Sequence, residues 1–277
     1  MILKHLGLSL FFAASGLYVI GTLLKHRRND SFNDNYFFVI LLGLILVAKN
    51  LLISESYYQH GINMTVGLFR LAFVVMFERT ITQFMKNTEG QTLYRNKFID
   101  SSIKVSVLLS VFQNFFPPSI AIGILMLAGS LLLLRWIIWR PDIGFKTFGN
   151  ATMYAGYLAL VLHFIFAALQ IADIWSVGTI ALHIFTLLCL GIIIPSMLVR
   201  ISQGHTGRKP HFFVSDKIAI SLIFISAFVR LLLPIILPAE YSSWVMTAGL
   251  LWSGTFLIIG IRLIPFLFQV RIDGKEH

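Results

Sequence analysis

Long apolar runs follow one another along almost the whole chain, and they restrict the possible folds more than any other feature. A helix that crosses a bilayer needs about 20 consecutive apolar residues. Runs of that kind predict spans near 6–24, 35–53, 62–85, 101–116, 119–139, 150–172, 177–200, 215–237 and 243–268. The predicted fold is all-α: a polytopic transmembrane helix bundle of about nine spans, forming a single transmembrane domain over residues 1–277. The 101–116 run is short for a span, so about eight spans is the alternative.

Charged residues are too scarce for a soluble protein. They make up 12% of the chain, against 57% hydrophobic residues, whereas soluble domains carry about 25% charged residues. The single cysteine, Cys189, lies inside an apolar run and excludes an intrachain disulfide. The sequence contains no nucleotide-binding loop, paired carboxylates or nucleophilic triad, which argues against a hydrolase or an ATPase.

Lysine and arginine are confined to every second loop. Numbered along the chain, the odd loops carry the basic residues and the even loops contain none; the tail adds Arg271 and Lys275, and only Lys4 lies on the other side. Because cytoplasmic loops hold the excess of Lys and Arg, we predict a cytoplasmic C-terminus and an outside N-terminus. The formal charge of +10 then reflects membrane topology, and no nucleic-acid partner is expected.

Two histidines lie at the same predicted depth in neighbouring spans. His163 comes ten residues before Asp173, and His183 comes eight residues after Trp175. The short outer turn makes these spans antiparallel, which puts both imidazoles roughly 12–15 Å below the outer surface. Facing each other, they would supply both axial ligands of a haem b, or part of a metal site. The alternatives are neutral histidines hydrogen-bonded to neighbours, or rings that face different ways.

Three cations lie in the outer half of the predicted bundle. Arg70 is about 12 Å and Arg230 about 10 Å from the outer surface, and Lys49 is higher still. Since no acidic residue of this layer lies within a span, the arginines predict a bound anion, for which haem propionates would supply two negative charges. The alternative is snorkelling of the side chains to the interface.

A buried ion pair is expected deeper in the bundle. Glu78 and Arg79 lie on the third span, and Arg262 lies near the inner end of the ninth. Because charges inside a membrane need partners, we predict a structural pair of Glu78 with Arg262 or with Arg230.

The loop after the seventh span, RISQGHTGR over 200–208, is the most distinctive stretch. Its glycines allow backbone N–H groups to converge and Arg208 adds a charge, so the loop would suit an anion, with His205 as a ligand or proton carrier. The alternative is a helix C-terminus closed by Gly204, with a basic inner flank. His183 and His205 are 22 residues apart, or about 33 Å on a helix, so they cannot bind the same metal ion.

The segment from Ala181-Leu182-His183 through Arg200 to Gly204-His205-Thr206-Gly207-Arg208 resembles the signature of the NnrS family. The resemblance extends to Arg230, Arg262 and the tail from Val270 to Gly274. The segment from Arg79 to Asn87 matches the family pattern more loosely. The resemblance is strong over 181–274 and weak before that.

The resemblance implies a haem- and copper-containing protein of the bacterial inner membrane that protects cells from nitric oxide. It gives functional weight to His183, Arg200, His205, Thr206, Arg208, Arg230 and Arg262. The chain also departs from the family pattern. It is shorter than usual, lacks the early His-x-His-Glu helix, and has Tyr154 where a histidine is typical, with His163 nine residues later. The methionines and Cys189 are soft ligands for Cu(I), but their spacing shows no copper motif.

Three functions agree with these features. The first is a membrane haem protein that binds or handles nitric oxide in nitrosative-stress protection, with His163 and His183 as ligands and Arg70 and Arg230 on the propionates. The second is a b-type electron-transfer protein with two fixed axial ligands. The third is an anion transporter without a cofactor. Absorbance spectra separate them, while the oligomeric state and any reaction stay open.

Overall fold

The computed structural model describes residues 2–28, 35–175 and 178–274, with side chains from Ser9 onward in the first of these segments. The Lys4 side chain and Lys275, which entered the orientation prediction, lie outside the described parts. Within those parts the chain is helical and contains no strand. The all-α prediction is confirmed.

The helices follow the apolar runs closely. They are α1 (Ile2–Lys25), α2 (Tyr36–Ile53), α3 (Tyr58–Glu89), α4 (Lys97–Ser110), α5 (Pro118–Ile138), α6 (Pro141–Gly144), α7 (Phe148–Ile171), α8 (Ile180–His183), α9 (Gly191–His205), α10 (Val214–Ile236) and α11 (Tyr241–Leu267). A π-helical segment, Ile184–Leu190, joins α8 to α9 in one continuous helix. Pro118 begins α5, where a missing N–H group costs nothing.

Seven of the described helices are long and apolar enough to cross a membrane: α2, α3, α5, α7, the composite helix Ile180–His205, α10 and α11. The lipid environment also explains why large apolar side chains such as Leu250, Leu257 and Ile261 are exposed on α11. The chain is therefore a membrane protein. The 24-residue α1, whose described side chains begin at Ser9, is a further apolar helix, and α4 has only 14 residues, so the span count and the orientation stay predictions.

The first of two compact units comprises Met1–Gln83 and Arg95–Ala128. Its core contains Leu41, Ala48, Met64, Leu68 and Val111. Gly67 on α3 lets the backbone after α4 approach closely, because a Cβ at this position would lie 2.7 Å from Val111 Cα. Small residues allow such approaches in membrane helix bundles.

The second compact unit comprises Phe84–Tyr94 and Gly129–His277. Its centre is α7, which packs against α8, the π-helical segment and α9, while α10 packs mainly against α11. Gly156 permits the approach of α7 to α9, since a Cβ there would lie 2.4 Å from the Ile193 side chain. The single-domain prediction is not tested by this division and stays a prediction.

Candidate functional site

His163 is held on the buried side of α7. It is 1% exposed, and its Nδ1 lies 2.5 Å from the carbonyl oxygen of Ala181 on α8. Because a carbonyl only accepts, Nδ1 carries the proton, and in a neutral imidazole Nε2 then carries the lone pair. The ring also stacks on Phe185, with the ring centroids 5.0 Å apart. A backbone carbonyl that fixes the tautomer in this way is common at ligand histidines.

His163 of α7 packs against one side of α8, and the His183 side chain lies on a different side of α8. Ala181 and Phe185, which contact His163, are each two positions from His183 along the helix. Two positions correspond to a rotation of about 200°, and His183 is accordingly only partly buried. The predicted neighbouring helices do meet at this level, but their imidazoles face different ways, which is the alternative that the sequence left open.

Arg230 lies on α10, which packs against α8, the helix that carries His183. Its Nη2 donates to the hydroxyl of Tyr241 at 3.1 Å, and its guanidinium lies 5.4 Å from the centre of the same ring. The structure therefore brings together His183 and Arg230, two of the residues predicted for the cofactor.

Arg70 and Lys49 contact neutral oxygens in the first unit. Arg70 is 4% exposed and donates through Nη1 to Gln113 Oε1 at 3.1 Å, and Lys49 donates to the hydroxyl of Ser9. Arg230 belongs to the second unit. A joint role of Arg70 and Arg230 at one anion stays a prediction.

Glu78 has partners that the sequence analysis did not assign to it. Its carboxylate accepts from Arg95 and, at 3.3 Å, from the ammonium group of Lys104, which is itself buried. The predicted pairs of Glu78 with Arg262 or with Arg230 would join residues of different units, and they stay predictions. Both of these partners come after α3 in the chain: Arg95 precedes α4, and Lys104 lies within it.

Arg262 pairs with Asp216 at the start of α10. Asp216 Oδ2 also accepts from the backbone N–H of Phe213 at 2.9 Å, and the Arg262 guanidinium lies 4.5 Å from the centre of the Phe213 ring. Arg79, the other charged residue predicted near Glu78, donates to Asn35 Oδ1 at 2.8 Å. Each of these two arginines therefore has a partner within its own unit.

The loop after α9 closes the helix at Gly207. Gly207 has φ +75°, and the backbone N–H of Arg208 donates to the carbonyl of Gln203 at 2.8 Å. This is the pattern of a Schellman motif. The expectation that Gly204 closes the helix is therefore wrong, because Gly204 is still within α9.

The same loop binds the C-terminal tail. The carbonyl of the buried Thr206 accepts from the backbone N–H of Ile272 at 3.2 Å, Arg208 donates to Gln269 Oε1 at 2.6 Å, and the carbonyl of the exposed His205 accepts from Arg271 at 2.9 Å. The hydrogen bond to the Asp273 carboxylate raises the pKa of Arg271 above its ordinary value. Roles for His205, Thr206 and Arg208 in binding a ligand stay predictions.

Arg200 occupies a cavity that sequence reasoning did not identify. It is 6% exposed, donates to Asn150 Oδ1 at 2.8 Å and lies between the rings of Phe84 and Phe212, with its Cζ 4.2 and 5.7 Å from their centres. The cavity volume is about 260 Å³. The sequence had singled out Arg200 as the first residue of the 200–208 stretch and through the resemblance, but neither indicated a cavity around it.

Tyr154 and Cys189 are both buried. The Tyr154 hydroxyl donates to the Trp139 carbonyl, and Cys189 lies in the π-helical segment as a free thiol. In the described parts of the chain, no group of three or more His, Cys, Asp and Glu residues is placed to hold a metal ion. Copper stays a prediction.

Comparison with known proteins gives one family. The family model described as NnrS protein matches residues 4–271. The match includes the helices before residue 181, where the resemblance of individual residues was weak. No curated protein and no solved structure matched the chain.

Proposed function

Because the chain belongs to the NnrS family, we propose that it is a haem protein of the bacterial inner membrane that binds or handles nitric oxide in protection against nitrosative stress. Membership in the family suggests a role in the nitric oxide response. The helices long and apolar enough to cross a bilayer support a membrane location. The bacterial inner membrane, haem and the handling of nitric oxide are the parts that go beyond these findings.

The observation that carries the proposal is the placement of His183 beside Arg230. His183 is partly exposed on the side of α8 away from His163, and α8 packs against α10, which carries Arg230. These groups fit a haem, since a histidine nitrogen is a common axial ligand and an arginine suits a carboxylate such as a propionate. A guanidinium has five N–H donors, of which Tyr241 accepts one.

When bound, haem supplies an iron that coordinates a diatomic gas if one axial position is open. His183 would hold it and Arg230 would orient it through a propionate. His163 acts indirectly, because its bond to the Ala181 carbonyl fixes the turn that presents His183. Arg70 is proposed only as an anion-binding residue of the first unit, and copper rests on the resemblance.

The placement of the histidines favours nitric oxide binding over electron transfer by a b-type cytochrome. Electron transfer of that kind uses two fixed axial ligands, and His163 and His183 lie on different sides of α8. If His183 alone held a haem, the group would supply an iron site at which the gas could bind.

The test is the absorbance spectrum of detergent-purified protein and of three histidine variants. We expect a Soret band that shifts with nitric oxide in the parent and is lost in His183→Ala. His163→Ala should keep at least part of the band, and His26→Ala, an exposed loop histidine, should match the parent. Circular dichroism and gel filtration identify variants that fail to fold. A folded His183→Ala protein with normal haem content, or a colourless parent, would overturn the proposal.

A further inference from the structure

The cavity around Arg200 lies at the end of α9, within the second unit. Its volume is about 260 Å³, and its walls include Arg200, Lys217, Phe148, Phe212, Thr147 and Gly149. Two of these side chains are cations. This cavity, called the Arg200 cavity below, is separate from the His183 region and is not used by the proposed haem function.

Arg200 is buried but incompletely hydrogen-bonded. One of its Nη atoms donates to Asn150, while its Nε is buried and makes no hydrogen bond among the described residues. The rings of Phe84 and Phe212 stabilise the cation through their faces, but they do not satisfy an in-plane N–H donor. A buried guanidinium of this kind fits an oxygen ligand in the cavity that it lines.

The first turn of α7 faces the same cavity with donors of its own. Helix N-termini leave N–H groups unsatisfied and carry a partial positive charge. Thr147, at the N-cap of α7, makes no capping hydrogen bond, because its hydroxyl donates to Glu89 Oε1 at 2.8 Å. Phe148 and Gly149, the first residues of the helix, line the cavity.

The charges around the cavity sum to a positive value. Lys217 is exposed at the start of α10, with its ammonium group 5.9 Å from the centre of the Phe148 ring. Glu89 is the acid whose charge acts on Arg200, and its carboxylate already accepts from Thr147 and Asn150. The neighbouring Asp216 pairs with Arg262. Around the cavity, the positive charge of two cations and a helix N-terminus therefore exceeds the negative charge of one carboxylate.

From this arrangement we propose that the Arg200 cavity binds a phosphate oxyanion, either free phosphate or the phosphate of an anionic lipid headgroup. A guanidinium, an ammonium group and helix N–H groups approach from different directions, which suits a tetrahedral anion with several acceptor oxygens. The predicted inner side of the membrane, where the basic loops lie, is where anionic headgroups and soluble phosphates are both accessible.

Gly149 is required for this geometry. A Cβ at this position would lie 2.4 Å from Arg200 Nη2 and 2.4 Å from Phe212 Cε2. Both contacts are with the ends of side chains, so Gly149→Ala would displace the guanidinium and fill the cavity without changing any charge. This variant separates a shaped site from a general attraction to positive charge.

The experiment measures thermal unfolding of the detergent-purified full chain with inorganic phosphate, against chloride at equal ionic strength. A ligand that binds only the native state raises Tm. We expect phosphate to raise Tm of the parent, with affinity weakened about tenfold or more in three variants. Lys217→Gln and Arg200→Gln each remove a charge-assisted contact, whereas Gly149→Ala displaces the guanidinium and fills the cavity. Lys97→Gln removes an exposed lysine of the first unit and should behave as the parent.

A second arm distinguishes the two sources of phosphate. The same proteins are unfolded in nanodiscs of phosphatidylcholine with or without phosphatidylglycerol. Stabilisation by phosphatidylglycerol alone, lost in Lys217→Gln and Gly149→Ala, assigns the site to a lipid headgroup; a response to inorganic phosphate assigns it to free phosphate. If Arg200→Gln does not fold, the other two variants decide. No response in either arm, or an equal loss in Lys97→Gln, would overturn the proposal.

Discussion

Glu78 illustrates what a buried charge requires of its neighbours. It is 1% exposed, and Lys104, one of its two cationic partners, is 4% exposed. Removing one partner of a buried pair leaves the other charge uncompensated, at a cost of about 3–5 kcal/mol. We therefore expect Glu78→Gln to lower the free energy of unfolding by an amount in that range, measured by reversible denaturation in detergent.

A carboxylate outside the interior provides the control for this experiment. Glu55 is exposed in the turn before α3, and Glu55→Gln should change the free energy of unfolding by less than about 0.5 kcal/mol. Equal effects of the two substitutions would contradict the role assigned to the Glu78 ion pairs.

Gly207 is a second residue whose environment fixes its identity. Its φ of +75° is unfavourable for a residue with a side chain, and a Cβ would lie 2.8 Å from the Asp273 carboxylate. We expect Gly207→Ala to lower the free energy of unfolding by about 1–2 kcal/mol and to release the tail, detected as faster proteolysis after Gln269. Gly204→Ala, with nothing within 4 Å, should be neutral or slightly stabilising. If Gly204→Ala alone lowered the free energy of unfolding, the assignment of the helix end to Gly207 would be contradicted.

The existence of the helices could be predicted from the sequence, but their rotation could not. The run at 150–172 corresponds to α7, Phe148–Ile171, and the run at 215–237 to α10, Val214–Ile236. A helix that is apolar all round carries little information about which side faces its neighbour. The level of His163 and His183 therefore followed from residue counting, whereas the different faces of their rings required the structure. The π-helical segment after His183 is also invisible in an apolar run.

The short helix α4 depends on its first turn more than the longer helices do. The Asn96 side chain accepts from the backbone N–H groups of Phe98 at 2.9 Å and Ile99 at 3.2 Å. Loss of such a cap costs about 0.5–2 kcal/mol. Asn96→Ala should lower the free energy of unfolding by that amount and increase hydrogen exchange in the first turn of α4. Asn87→Ala, an exposed position late in α3, is the matched control, and equal exchange in both variants would exclude a capping role.

Across the whole chain, the sequence predicted the class of fold better than the sites. The patterns of hydropathy and loop charge extend over many residues, so an error at a few positions does not change the predicted class of fold. The Arg200 cavity instead combines residues 88, 147–149, 200, 210–212 and 217, and no local pattern connects them. The partners of Glu78 were missed for a related reason, since Arg95 and Lys104 have roles both in loop charge and in a buried ion pair.

The number of membrane crossings depends on α4. Its 14 residues extend about 21 Å, less than the roughly 30 Å of a hydrocarbon core, yet the nine-span prediction requires the chain to change sides between α3 and α5. In a Cys189→Ser background, which removes the single cysteine, we expect Ser119→Cys to react with a membrane-impermeant maleimide in intact cells. Gln91→Cys should react only after permeabilisation. Both positions are exposed in the structure, and labelling of both from the same side would show that α4 does not cross and would reduce the count.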